Sequence, residues 1–280
     1  MSQLHPMIEV AVAAARAAGA LIRAATELPG SLQVALKQPN DFVTQVDVAS
    51  EQAIVRALLD AFPEHSVRAE ESQHRHGSPD ADYVWIVDPL DGTNNFVHGY
   101  PVYSVSIALA VRGRIEHGVV LDVNRGELFH ASLGQGAYCN GQRLVVGTRS
   151  ALAQSLVASN GPYRPGPDFD RSMQMLTDVM QRTAALRRAG SAALDLAYVA
   201  AGRCDGFFDL GLKAWDVAAG ALLVTEAGGR VGNFLGEPDC LETRECVAAN
   251  PNLFAALAAV LQPYSRLDAT ERSRRAGHAA

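Results

Sequence analysis

The feature that most constrains the fold of this chain is a change of hydrophobic pattern near residue 150. Between about residues 103 and 146, apolar runs of strand length are separated by turn signals such as Asn140-Gly141, which predicts an antiparallel meander. Beyond residue 150, helical and strand-like segments alternate, as they do in α/β proteins. The two patterns together predict a mixed α/β (α+β) fold.

The same change of pattern sets the expected domain organisation. We predict one domain over residues 1–262, in which residues 1–150 and 151–262 form sub-halves. Because no Pro/Gly/Ser-rich linker separates the sub-halves, we expect them to pack closely. The remaining residues, 263–280, are polar and rich in small residues, and we expect them to form a flexible tail.

The residues ahead of the meander predict two helices and two strands. Amphipathic patterns cover residues 6–27 and 46–61, which is typical of helices packed on a core. The segment SVRAEES reads as a short strand that ends in two glutamates. The apolar segment YVWIVD reads as a buried strand that Pro89 is expected to stop, since proline has no backbone N–H to donate.

Composition excludes several classes of protein. The chain has 30 acidic and 24 basic residues and a formal net charge of −6, which argues against a general nucleic-acid binder. Its four cysteines form no CxxC pair, so we expect free thiols in a reducing, cytoplasmic compartment. No apolar run is long enough to predict a membrane span. Trp85 and Trp215 are expected to pack in the core.

Several catalytic signatures are absent from the sequence. The chain contains no GxxxxGK[ST] phosphate loop, no HExxH metal motif and no GxSxG nucleophile turn. Gly134-Gln135-Gly136 lies within the predicted meander rather than at a strand-to-helix turn, which argues against dinucleotide binding. The histidines show no spacing typical of metal ligands. What remains for chemistry is a recurrent placement of acidic residues at the ends of predicted elements.

The strongest acidic pattern is the segment WIVDPLDGTNNF. Asp88 ends the apolar strand, and Asp91 follows three residues later across a predicted turn. Two carboxylates and a backbone carbonyl that converge in this way are ligands suited to a hard divalent cation such as Mg²⁺. Gly92-Thr93 begins a predicted helix whose N–H groups would hold an anion. Taken singly, Asp88 also fits an ordinary turn acid, and Asp91 also fits an N-cap.

Three further acids lie at element ends, and each has an ordinary structural alternative. Glu70 follows the strand SVRA and otherwise fits a solvated sheet edge. Asp216 begins the apolar helix AWDVAAGALLVTEAGG and otherwise fits a first-turn acid favoured by the helix dipole. Asp47 ends the segment DFVTQVD and otherwise fits a capping residue of the second helix.

These segments, in this order, resemble the inositol monophosphatase family of Mg²⁺-dependent, lithium-sensitive phosphatases. The matching stretches include DFVTQVD, WIVDPLDGTNNF, RRAGSAALDLAYVAAGRCDGFFDLG and AWDVAAGALLVTEAGG, and together they span about residues 5–262. The bacterial SuhB-type branch is the most similar. The resemblance implies a layered α-β-α-β-α sandwich of the sugar/inositol phosphatase type, often assembled as a homodimer, with two or three Mg²⁺ ions.

The resemblance also implies roles for individual residues. The residues that match metal ligands are Glu70, Asp88, Leu90 through its carbonyl, Asp91 and Asp216. Those that match the catalytic groups acting on water are Glu70, Thr93 and Asp47. Those that match substrate-binding positions are Gly92, Thr93, Gly190, Ser191, Ala192 and Asp209.

The activity implied first is hydrolysis of myo-inositol 1-phosphate by metal-activated water, without a covalent enzyme intermediate. Asp209 is one methylene shorter than the glutamate usual in the family, so other esters stay open: histidinol phosphate, fructose 1,6-bisphosphate, NADP or a nucleotide 3′-phosphate. The unusual loop 159–168 is expected near the substrate. A third alternative is a transcription- or ribosomal-RNA-associated binding role with dispensable catalysis.

Overall fold

The computed structural model describes residues 4–27, 32–38, 41–72, 74–161 and 168–267. Helices within these ranges are α1 Pro6–Thr26, α2 Gln45–Ala61, α3 Thr93–Val97, α4 Phe169–Met180, α5 Ala192–Ala200, α6 Ala214–Glu226, α7 Cys240–Thr243 and α8 Pro251–Leu261. Strands up to the end of the meander are β1 Val34–Gln38, β2 Asp41–Thr44, β3 Ser66–Ala69, β4 His76–Gly77, β5 Tyr83–Asp91, β6 Ser104–Val111, β7 Arg114–Asp122, β8 Glu127–Ser132, β9 Gly136–Cys139 and β10 Gln142–Arg143. The later strands are β11 Leu156–Ala158, β12 Ala185–Arg187, β13 Gly206–Leu210, β14 Arg230–Gly232 and β15 Glu245–Ala249.

The strands form two large sheets and one hairpin. The first sheet has eight strands in the order β10-β9-β8-β7-β6-β5-β3-β4, and β5 to β10 are consecutive antiparallel neighbours. This confirms the predicted meander. The second sheet has five strands in the order β12-β11-β13-β15-β14, with parallel pairs around β11. Strands β1 and β2 form a separate antiparallel hairpin.

Helices cover and separate the two sheets. Helices α1 and α2 pack on the outer face of the first sheet, where Trp85 and Val87 of β5 join their core. Ile86, between those two residues, faces the opposite side, where α5 and α6 lie between the sheets. On the second sheet, Phe207 faces this middle layer and Phe208 faces α4 and α8. The layers therefore run α-β-α-β-α, which confirms the predicted fold class.

Strand β5 differs from its prediction at Pro89. The strand does not stop there but continues to Asp91. Asp88 pairs with Ser106 of β6 and Asp91 pairs with Ser104, so three steps along β5 match two steps along β6. The extra residue is a β-bulge, a place where a strand tolerates a proline because one residue leaves the hydrogen-bond ladder. The prediction that Pro89 ends the strand was wrong.

Other differences concern short elements. The strands that the sequence analysis did not predict, β1, β2, β11 and β14, have three to five residues each, too few for a clear alternation of polar and apolar side chains. The polar segment HRHGSPDAD, whose turn-forming residues are typical of a loop, contains the two-residue strand β4. Most of the loop expected near the substrate, residues 162–167, and most of the predicted tail, residues 268–280, lie outside the described residues.

Two further observations concern the cysteines and the apolar character of the helices. All four cysteines are free thiols, and Cys204, Cys240 and Cys246 are buried. None of the helices in the described ranges combines the length and apolarity that crossing a membrane requires.

Close packing of α5 on α6 generates a prediction for Gly220. A Cβ added at Gly220 would lie 2.5 Å from the Cβ of Leu196, which cannot move without its backbone. A Cβ at Gly19 of α1 would instead meet the mobile Cδ2 of Leu121 at 2.7 Å. In a helix interior, alanine has a higher helix propensity than glycine by about 1 kcal/mol, and this gain applies to both positions. We expect Gly220→Ala to lower the free energy of unfolding by about 1–3 kcal/mol because of overpacking.

Gly19→Ala serves as the matched control, since it makes the same chemical change in another helix interior. We expect its free energy of unfolding to stay within about 1 kcal/mol of the wild type, because helix propensity offsets the displacement of one flexible side chain. Urea unfolding of the three proteins provides the measurement. Equal stability of the two variants would contradict the packing argument.

Candidate active site

The bulge at the end of β5 places two predicted metal ligands at one turn. Asp88 is buried, and its Oδ1 accepts a hydrogen bond of 3.1 Å from the N–H of Leu90. Gly92 follows Asp91 with a φ of +97°, and an added Cβ would lie 2.9 Å from the Val102 carbonyl oxygen. A side chain at this position would therefore be both strained and blocked, so the turn requires glycine.

Asp91 connects the first sheet to the middle layer. Its Oδ2 accepts hydrogen bonds from the Ser191 hydroxyl at 2.6 Å and from the Ala193 N–H at 2.9 Å. Ser191 is the N-cap of α5, so the carboxylate lies at the positive end of a helix. Burial raises the pKa of Asp91, and these hydrogen bonds oppose the rise by favouring the charged form. The structure thus brings Ser191, a predicted substrate contact, directly onto a predicted metal ligand.

Four predicted metal ligands repel one another in this region. Burial raises the pKa of Asp88 well above its ordinary value, and the negative charges of Glu70, Asp91 and Asp216 raise it further. Asp216 shows the same direction, with burial first and then the charges of Glu70 and Asp91 as causes. Its Oδ2 accepts the Lys213 N–H at 2.7 Å, so it lies in the first turn of α6 as predicted. Together these acids, of which Asp88 is buried and the other three are partly buried, form a negative field that favours a cation.

The donor chemistry at this turn fits Mg²⁺. Carboxylates and the Leu90 carbonyl supply only oxygen atoms, which hard divalent cations prefer. Within the described ranges, however, no three His, Cys, Asp or Glu side chains already converge closely enough to hold a metal ion. The ligand arrangement therefore stays a prediction, to be tested by ion binding.

Thr93 and Asp47 form a hydrogen-bonded pair beside the acids. The Thr93 hydroxyl lies 2.9 Å from Asp47 Oδ1 and 3.1 Å from the Leu90 carbonyl oxygen. The other carboxylate oxygen of Asp47 accepts the Thr44 N–H at 2.9 Å and its hydroxyl at 2.6 Å, which completes a capping box for α2. Asp47 is therefore a capping residue of α2, and its other carboxylate oxygen contacts Thr93. Its predicted action on water is not tested by these contacts.

The remaining predicted substrate positions lie where the middle layer meets the second sheet. Gly190 has a φ of +91°, and its N–H donates to Asn160 Oδ1 at 2.9 Å. Ala192 is the first residue of α5. Asp209 is 3% exposed, and its Oδ2 accepts the Asn160 N–H at 3.0 Å. Burial raises the pKa of Asp209 to about 7. Asp209 thus supports the backbone that leads to the loop 162–167, and its contact with substrate stays a prediction.

Two positioning residues were missed by the sequence analysis. The Asn95 side-chain amide donates to the carbonyls of Val102 at 2.7 Å and Ala189 at 2.8 Å, which joins the turn after β5 to the segment before α5. Asn160 holds Gly190 from the other side. No sequence signal marks either residue, because an asparagine in a short helix or a loop has many ordinary roles.

Comparison with known proteins identifies the family. Residues 3–266 match the model of the inositol monophosphatase family. The chain belongs to the inositol monophosphatase family. Membership of this family supports a phosphatase activity.

Relatives from three bacteria are similar over nearly the whole chain. The Nus factor SuhB of Pseudomonas aeruginosa is 48% identical over 264 residues, covering 93% of this chain and 97% of the relative. The solved structure of the extragenic suppressor protein suhB from Bartonella henselae is 40% identical, with a TM-score of 0.88 over 92% of this chain and 99% of that one. The inositol monophosphatase from Anabaena is 34% identical, with a TM-score of 0.78 over 91% and 94% of the two chains. The resemblance stated from the sequence is confirmed.

The repulsion among the acids at the end of β5 leads to a prediction for the stability of an Asp88 variant. In EDTA, we expect Asp88→Asn to raise the free energy of unfolding by about 1–2 kcal/mol, because it removes one of several repelling charges and keeps an acceptor for Leu90. Since the pKa of Asp88 is raised in the folded state, the free-energy cost of Asp88 to folding grows as the pH rises above the ordinary carboxyl pKa of 3.8, where the unfolded chain already ionises. The gain should therefore be large at pH 7 and small near pH 4, and thermal unfolding at both pH values measures it.

Asp205→Asn is the matched control. Asp205 is equally buried, but its carboxylate lies 3.2 Å from the Arg149 guanidinium and accepts the Leu156 N–H at 2.9 Å. Removing that charge leaves a cation without its partner, so we expect lower stability at pH 7. If Asp88→Asn destabilised the EDTA-treated protein as Asp205→Asn does, the acids at the end of β5 would not be a repelling set.

Proposed function

We propose that this protein is a Mg²⁺-dependent phosphatase that hydrolyses a small phosphate monoester, with myo-inositol 1-phosphate as the leading substrate. The observation that carries the proposal is the set of mutually repelling carboxylates at the bulged end of β5, beside the Thr93–Asp47 pair. The family match and the name of the Anabaena relative, inositol monophosphatase, support it. The four free thiols support a reducing, cytoplasmic location.

The residues that would hold two or three Mg²⁺ ions are Glu70, Asp88, Leu90 through its carbonyl, Asp91 and Asp216. Bound Mg²⁺ would neutralise phosphate oxygens, acidify a water molecule and stabilise the leaving alkoxide. Glu70 is the residue proposed to orient the attacking water. It interacts electrostatically with both Asp88 and Asp216, which supports its place in this set.

The Thr93–Asp47 pair supplies an acceptor for the proton of the attacking water. The Thr93 hydroxyl has one hydrogen and two acceptors within reach, Asp47 Oδ1 at 2.9 Å and the Leu90 carbonyl oxygen at 3.1 Å; donation to the ionised carboxylate is favoured because a charged acceptor forms the stronger hydrogen bond. The lone pairs of the Thr93 oxygen are then available to a water molecule. Burial raises the pKa of Asp47 and the hydrogen bonds from Thr44 and Thr93 lower it again, so these bonds favour the ionised form that this role needs.

The substrate would be held on both sides of the turn. The backbone N–H groups of Gly92 and Thr93 are proposed to contact the phosphate. Gly190, Ser191, Ala192 and Asp209 are proposed to position the alcohol. Ser191 supports this proposal because its hydroxyl already lies 2.6 Å from Asp91. Histidinol phosphate, fructose 1,6-bisphosphate, NADP and nucleotide 3′-phosphates are the alternative esters.

Phosphate release from myo-inositol 1-phosphate tests the proposal. We expect turnover that requires Mg²⁺, is inhibited by Li⁺, and falls by at least about 100-fold in Asp91→Asn, because the variant removes a charged ion ligand. The control is Asp82→Asn. Asp82 is an exposed acid paired with Arg112 at 3.0 Å, and it directly precedes β5 at the end opposite the turn. Equal turnover of Asp91→Asn and the wild type would refute the assignment of Asp91 as an ion ligand. Activity on only one of the alternative esters would identify that ester, instead of myo-inositol 1-phosphate, as the substrate.

A second role is proposed from the relatives. The Pseudomonas aeruginosa relative is named a Nus factor, which supports an association of this chain with the transcription machinery. The presence of the complete acidic set argues that such a role accompanies catalysis rather than replacing it. The homodimer implied by the resemblance stays a prediction that gel filtration can measure.

The two roles can be separated with the same variant. We expect purified Asp91→Asn protein to capture transcription proteins from a lysate of its own source as well as the wild type does, because the exposed surface is unchanged. Mass spectrometry of the captured proteins is the measurement, and a heat-denatured sample is the control. Absence of RNA polymerase and its factors from both captures would remove the second role.

A further inference from the structure

A cavity of about 310 Å³ lies beside the candidate active site and has no role in the function proposed above. It is lined by Arg68, Ala69, Ser72, His74, Arg75 and Trp215. Ala69 directly precedes Glu70 and Trp215 directly precedes Asp216, and consecutive Cα atoms are about 3.8 Å apart. The cavity therefore lies next to the backbone that carries two of the four acids at the end of β5, although neither acid lines it. Trp215, which was predicted to pack in the core, is only partly buried and lines this space.

The cavity wall is basic and its arginines are available. The Arg68 guanidinium lies 5.5 Å from the centre of the Trp215 ring, and Arg68 is exposed. Arg75 donates to the Pro79 carbonyl at 3.0 Å, which leaves the rest of its guanidinium for another acceptor. Neither arginine forms an ion pair with a carboxylate of the described residues, unlike the arginines at 112, 114, 125, 149 and 203.

A nearby acid, Glu51, is occupied by hydrogen-bond donors of the segment that lines the cavity. The Glu51 carboxylate is buried, accepts the Glu71 N–H at 2.7 Å, and also accepts the Ser72 hydroxyl. Since that hydroxyl has one hydrogen, its oxygen accepts from Nε2–H of His76 at 2.7 Å. Glu51 therefore stabilises the segment of Glu71 and Ser72, and within the described residues it forms no ion pair with Arg68 or Arg75.

We propose that this cavity is a second anion subsite that takes an additional phosphate group of the substrate, so that the enzyme prefers bisphosphate esters to the matching monophosphates. The inference rests on the proposed function, because the first phosphate would lie at the acids beyond Ala69 and Trp215. Guanidinium groups bind phosphate through paired N–H donors. A volume near 300 Å³ is at the lower end for small-ligand pockets and suits a phosphate with part of a sugar.

Kinetics on two esters that differ by one phosphate test the subsite. The probes are fructose 1,6-bisphosphate and fructose 1-phosphate, and the measured quantity is the ratio of their kcat/KM values. We expect Arg68→Ala to lower this ratio about tenfold, and Arg68→Lys to lower it less because the charge is kept. The matched control is Arg112→Ala, whose arginine is exposed and already paired with Asp82, and whose ratio should equal that of the wild type.

A role of Arg68 in structure alone would give a different result. Loss of its packing on Trp215 would lower kcat/KM for both esters by the same factor and leave the ratio unchanged. An unchanged ratio in both Arg68→Ala and Arg75→Ala would refute the proposed subsite, even if the protein is an active phosphatase.

Anion binding without catalysis separates this inference from the proposed function. In EDTA, inorganic phosphate should change tryptophan fluorescence in a saturable manner, because Trp215 lines the cavity whereas Trp85 is fully buried. The signal should disappear in Trp215→Phe and saturate at about tenfold higher phosphate in Arg68→Ala. Saturable binding in a protein inactive on every ester would support the subsite and refute the phosphatase. Absence of binding in the wild type would overturn the subsite whatever the activity.

Discussion

The contact of Asp91 with the start of α5 is the interaction on which the candidate site depends. One carboxylate oxygen accepts the Ser191 hydroxyl and the Ala193 N–H, so the end of β5 is joined to the middle layer at a helix N-terminus. Helix-end N–H groups favour a negative charge, and burial makes those hydrogen bonds stronger. Residues separated by about a hundred positions in the chain are thereby held at one place, and the Asn95 amide reinforces the junction.

The bulge at Pro89 places acidic residues of the candidate site at this junction. One extra residue in β5 places Asp88 and Asp91 on the same turn, where Asp88 interacts with Glu70 and Asp216 and Asp91 interacts with Asp216. Buried like charges are unfavourable for folding, so the protein holds an arrangement there that a closely packed core would not select. The neighbouring cavity carries the opposite charge, because Arg68 and Arg75 line it and neither forms an ion pair with a carboxylate within the described residues.

Sequence reasoning succeeded where long periodic patterns or distinctive spacing existed. The helices α1 and α2, the meander and the alternation after residue 150 were predicted from apolar periodicity and confirmed. The family was identified from the acidic segments and confirmed over residues 3–266. For Asp47, the residue type allowed a capping role or a catalytic pair, and the structure shows that one carboxylate serves Thr44 and Thr93 with different oxygens.

By itself, the sequence determined the fold class and which residue types would meet at the end of β5, because periodicity and motif order are properties of the chain. Only the tertiary structure decided the rest. That β5 passes through Pro89 depends on the register with β6, and no local signal contains that register. The use of Asn95 and Asn160 as positioning residues depends on which distant backbones lie nearby, and so does the position of Trp215, which packs against the core and also lines a basic cavity. Such contacts follow from the packing of the two sheets against the middle helical layer, which a linear pattern does not specify.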